Sequence, residues 1–98
     1  MDTIYTPTLL TREEYVRQNS NTTIPFISRT PAIGNIIKAC LSSGQVFWAI
    51  IEDRIYRATN ESTAYIARID THLSSAGCEK ISYGTRVYIN PVNVIDIA

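Results

Sequence analysis

Ninety-eight residues carry nine Lys+Arg against nine Asp+Glu, a formal net charge of zero, and 45% of the chain is apolar. This is the size of a single domain, residues 1–98, that can bury a core of its own. Balanced charge without a basic run disfavours duplex DNA as a partner, and no apolar segment approaches the ~20 residues that span a bilayer.

Residues 1–10 read as an extended N-terminal arm. Thr11-Arg12-Glu13-Glu14 has the form of a capping box, in which the Thr11 hydroxyl and the Glu14 carboxylate satisfy each other's backbone amides. A helix of about two turns, Arg12 to Gln18, follows, with Leu10 and Tyr15 spaced as a hydrophobic staple. Asn19-Ser20-Asn21 ends it, because such side chains compete for the helical backbone's hydrogen bonds. The stretch from Thr22 to Arg29 alternates loosely around Pro25, which argues against a central strand.

Thr30-Pro31 offers a second helix start. Ile33, Ile36, Ile37, Cys40 and Leu41 then recur at three- and four-residue steps, the stripe of an amphipathic helix. Gly44 is placed to end it, and a strand over Asn35 to Leu41 is the alternative. Next comes the unbroken apolar run Val46–Ile51, which contains Trp48, the single tryptophan. Its β-branched and aromatic content predicts a strand buried on both faces, with Trp48 in the core.

Glu52-Asp53 is read as a turn or bulge, with extended chain resuming over Ile55 to Ala58. Asn60-Glu61-Ser62 is a turn. Thr63 to Asp70 reads as a strand, with Tyr65, Ala67 and Ile69 on one face and Ile66 and Arg68 on the other. Thr71 to Glu79 is loop. Lys80 to Ile89 alternates again, with Ile81, Tyr83, Val87 and Ile89 opposite Ser82, Arg86, Tyr88 and Asn90. Pro91 breaks the ladder, and Val92 to Ile97 supplies a last strand. The expected fold is α+β: one or two N-terminal helices, then an antiparallel sheet of four or five strands. If that sheet curls, it forms a small SH3-like barrel.

Little here points to catalysis. The only histidine, His72, lies near Ser74, Ser75 and Cys78, but adjacency in sequence is not triad geometry. Cys40 and Cys78 fit no zinc spacing and read as reduced thiols. No glycine loop for phosphate is present, and no cofactor or metal is expected. Asn21-Thr22-Thr23 and Asn60-Glu61-Ser62 match the glycosylation sequon. No basic-then-apolar leader is read ahead of them, so they are taken as turns and the protein as cytoplasmic.

The suggestive set is arginine and tyrosine on strands: Arg57, Tyr65, Arg68, Tyr83, Arg86 and Tyr88. Such residues make protein interfaces, and they also hold anions and stack on bases. The expected function is therefore a small non-catalytic binding protein that acts through protein contact as a homo-oligomer. Zero net charge and two sheet edges needing cover support self-association. The alternative is a phage or mobile-element type inhibitor that captures a nucleotide or another anionic small ligand in an Arg/Tyr pocket.

Overall fold

A computed structural model describes residues 3–19, 30–56, 63–71 and 81–98. The elements in chain order are β1 (Ile4–Tyr5), α1 (Arg12–Gln18), β2 (Ile36–Cys40), β3 (Val46–Tyr56), β4 (Thr63–Ile69), β5 (Arg86–Ile89), a 3-10 turn (Pro91–Asn93) and β6 (Asp96–Ile97). All six strands form one sheet in the order β1-β5-β4-β3-β2-β6. The fold is α+β with a sheet, as the sequence suggested. It is mixed rather than purely antiparallel, because β1 runs parallel to β5. It has one helix among the described residues, and the sheet does not close into a barrel.

Helix α1 forms where the capping box requires it. The Glu14 amide donates to Thr11 Oγ1 at 3.1 Å, and the Thr11 amide donates to Glu14 Oε1 at 2.8 Å. That backbone hydrogen bond holds the Glu14 carboxyl below its ordinary 4.5. Leu10 and Tyr15 bury with Cys40 and Ile95 in a small cluster that seats the helix on the sheet.

The expected second helix is instead a turn and a strand. Asn35 Oδ1 accepts from the Ala32 amide, the Asn35 amide donates to Ala32 O, and Gly34 takes φ 93. This β-turn, with Asn35 bonded to both the amide and the carbonyl of Ala32, launches β2. The three-and-four spacing that suggested a helix also contains a period of two: Ile37, Ala39 and Leu41 are the buried members. A stretch with two adjacent isoleucines and a glycine has weak helical preference, and pairing with β3 over Ile36 to Cys40 decides its state. Gly44 ends no helix. It turns the β2–β3 hairpin with φ 100, its amide donating to Leu41 O at 2.8 Å. Open space surrounds it, so Gly44→Ala should cost only the backbone term of about 1 kcal/mol in urea unfolding.

The main core lies on one face of the sheet, and the small cluster under helix α1 reaches the other face at Cys40, the partner of Val46. Ile37, Ala39, Phe47, Ala49, Ile51, Tyr65, Ala67, Ile69, Val87 and Ile89 fill the main core, with Leu41 and Val94. The central run is thus buried on one face rather than both. Phe47, Ala49 and Ile51 point inward, while Val46 is exposed and Trp48 and Ile50 are half-buried on the outer face. Trp48 is not core.

The N-terminal arm makes enclosure possible without strand closure. Tyr5 pairs with Val87 of β5, yet Leu9 bridges to Leu41 beyond the end of β2. In a flat sheet those anchors would stand at least about 24 Å apart, from strand spacing alone. The four residue steps between them reach at most about 14 Å. The sheet must therefore curl strongly around the inner face, leaving β1 and β6 as its outer strands.

Two further strands are shorter than the alternation suggested. Tyr83-Gly84 forms a turn, with Gly84 at φ 85, so only Arg86 to Ile89 keeps the ladder and exposed Tyr83 leaves the core face. After β5, Pro91 starts the 3-10 turn. Asn93 caps it by accepting from the Asn90 amide at 3.2 Å, and Asn93 Nδ2 donates to Leu10 O at 3.1 Å. The last strand shrinks to Asp96–Ile97, paired with β2.

Candidate functional site

The outer face of the sheet carries the arginines, and a bulge sets their partner. Ile51 pairs with Ala67 and Asp53 with Ile66, so Glu52 is an extra residue on β3. Adjacent strand residues normally point to opposite faces. The bulge cancels that rule and turns Glu52 and Asp53 toward the same, outer face.

Glu52 then lies between two arginines that are themselves direct cross-strand partners, Arg68 on β4 and Arg86 on β5. Arg86 Nε donates to Glu52 Oε1 at 2.7 Å, and Arg68 Nε donates to Glu52 Oε2 at 3.3 Å. Two like charges directly opposite would repel, and one carboxylate bridging both relieves this. The side chains keep 30–37% of their surface exposed, so screening by water keeps the net gain modest.

The Arg86 hydrogen bond, chiefly, and that of Arg68 hold the Glu52 carboxyl below its ordinary 4.5, against the opposing effect of partial burial. A carboxyl lowered in the folded state adds stability above its unfolded value, and this is lost as pH falls through the folded one. Wild type should therefore lose urea resistance as pH falls below the ordinary carboxyl value of 4.5. Glu52→Gln should remove that portion of the acid loss while starting from a lower stability at neutral pH.

Beside this cluster lies an aromatic one. Lys38 is directly opposite Trp48, and its Nζ sits 6.0 Å from the ring centroids of both Trp48 and Tyr15. The Trp48 backbone is fixed from β4: Thr71 Oγ1 accepts the Trp48 amide at 2.8 Å, and Trp48 O accepts from the Asp70 amide at 2.8 Å. Trp48 is thus a half-exposed ring on a rigid strand, flanked by a cation.

Of the residues singled out from the sequence, Arg68, Arg86 and Tyr88 share this outer face, Tyr88 pairing with half-buried Ile66. Tyr65 does not join them: at 2% exposure it belongs to the core. Tyr83 sits in the exposed turn before β5. Arg57, His72 and Cys78 lie outside the described residues, as do both sequons and the stretch around Pro25. Cys40 is a free, buried thiol whose pKa burial pushes up, which makes it unreactive.

Glu52, Trp48 and Lys38 are the members that the sequence reading passed over. Only the bulge reading of Glu52-Asp53 hinted at the first. Among the described residues no three His, Cys, Asp or Glu side chains gather as metal ligands, and no helix is long and apolar enough to cross a membrane. No protein-family model matches this chain, and neither a curated protein nor a solved structure does.

Proposed function

We propose that the protein is a non-catalytic binding module that works through protein contact, as a homo-oligomer, on the outer face of its sheet. The observation that carries this is the make-up of that face. Trp48, Ile50, Ile66 and Tyr88 are half-buried there and alternate with Lys38, Arg68 and Arg86. Tryptophan, tyrosine and arginine held on rigid backbone are the residues that dominate protein interfaces.

Self-contact by strand addition has less support, since β1 and β6 are only two residues each and very short outer strands blunt edge pairing. The face, not the edge, is the contact surface. A free Cys40 thiol fits a reducing compartment such as the cytoplasm.

Capture of a nucleotide or another anion draws less support from the same residues. Glu52 already takes the Nε of both arginines and cancels one of their two charges. Melting curves separate the readings. Protein contact expects the melting temperature to rise with the protein's own concentration, by mass action, and to ignore added nucleotides. A melting temperature that ignores protein concentration but climbs with a nucleotide, and loses that climb in Arg86→Ala, would reverse the choice.

A further inference from the structure

The outer face holds a small self-complementary unit. Ile50 and Arg68 are direct partners on β3 and β4, and so are Asp53 and Ile66, one row further along. The bulge at Glu52 is what puts all four on one face. Viewed from outside they form a quadrilateral: the two isoleucines occupy one diagonal, and Arg68 and Asp53 the other.

A two-fold axis laid along the isoleucine diagonal sets Ile50 on Ile50 and Ile66 on Ile66 of a second copy. The same rotation carries each Arg68 onto the other copy's Asp53. Isologous contacts need this property, in which residue i meets j and j meets i. The property belongs to these four residues: the same diagonal, extended past Ile50, meets Lys38 on β2, which the rotation sets against its own copy at the rim of the unit.

The groups are also prepared for the contact. Arg68 uses its Nε on Glu52 at 3.3 Å, and none of its terminal Nη atoms is hydrogen-bonded to a described residue, which leaves them for an incoming acceptor. Asp53 is exposed and uses Oδ1 to accept from the Arg54 amide at 2.8 Å, which fixes its rotamer and leaves Oδ2 for an incoming donor. Within its own chain Arg68 pairs with Glu52.

We propose that a second copy of this chain docks face to face across that diagonal, with two crossed Arg68–Asp53 pairs flanking an Ile50/Ile66 centre. This rests on the protein-contact reading above and names its partner and register. Charge reversals test it, read by sedimentation velocity with circular dichroism to confirm folding. Asp53→Arg opposes arginine to arginine twice in the pair, and Arg68→Asp opposes aspartate to aspartate twice. Each alone should weaken self-association by about tenfold or more.

Mixing the two single variants restores both attractive pairs, so the mixture should associate where neither component does. The double variant D53R/R68D should self-associate as well. If Arg68→Asp fails to fold, D53R/R68A serves in its place: removing the facing arginine should recover part of the association lost in Asp53→Arg. Single variants that stay as associated as wild type would overturn the crossed pairing. So would singles that dissociate with no recovery in the mixture, the double variant or D53R/R68A. In both cases self-association of the wild type would stand. A wild type that sediments only as monomer would overturn the docking and the oligomer reading together.

Discussion

Phe47→Ala should lower the unfolding free energy by about 3–5 kcal/mol, the usual cost of emptying an aromatic site in a packed core. Phe47 is 1% exposed and lies among the fully buried side chains of the inner face. Its Cα partner is Ala39, and Ala49 and Ala67 occupy nearby core positions. Alanines on a curled sheet allow close approach, and the large ring fills the space they leave. Small neighbours cannot collapse into the vacated volume, so the cavity term stays near its upper range.

A domain of this size has about 5–15 kcal/mol in total, so the variant should sit near the edge of folding, with its urea midpoint strongly reduced. Val46→Ala is the control, one residue away on the exposed side. It should cost about 1 kcal/mol or less. Equal losses at the two positions would mean that the central strand is not one-faced.

Trp48→Ala should have the opposite profile. The ring is half-buried on the outer face, beside Lys38, and its backbone is held by Thr71 and Asp70 whatever the side chain. Truncation should leave the fold intact and weaken self-association by roughly thirtyfold, the effect of losing about 2 kcal/mol at an interface anchor. Sedimentation velocity over a dilution series reads the association, and far-UV circular dichroism checks the fold. A variant that unfolds would return Trp48 to the core. One that associates like wild type would remove it from the contact.

How much of this was legible before the structure depends on the reach of each interaction. The capping box at Thr11 and Glu14 is complete within four residues, so helix α1 could be read with its bounds. The inner faces of β4 and β5 were legible as alternation, since Tyr65, Ala67 and Ile69 need no other information to share a side. The second helix failed because Ile33 to Leu41 satisfies two periods at once, and only pairing with β3 chooses between them. The two-faced reading of Val46–Ile51 failed for a related reason. An apolar run does not say which of its alternate residues lies under a partner and which waits for one.

The site was half legible. Arg68, Arg86 and Tyr88 could be named, but not their convergence, which is set by register. Glu52 was the harder residue. Its orientation depends on one inserted position in β3, and reading Glu52-Asp53 as a turn or bulge did not say which way either carboxylate points. Tyr65 was grouped with the arginines for its residue type, although the alternation already set it with Ala67 and Ile69 on the face opposite Arg68.

The inner face of the sheet is core, and the outer face, around Trp48, is the surface proposed to meet a second copy of the chain. Because Trp48 is the single tryptophan, its emission reports on that face alone. The direct measurement follows this emission through the dilution that takes the particle from twice the chain mass down to 11.0 kDa. The predicted result is a red shift as the ring is released to water, with the same midpoint as the fall in mass. A mass of 11.0 kDa at every concentration, or a dissociation that leaves Trp48 emission unchanged, would contradict it.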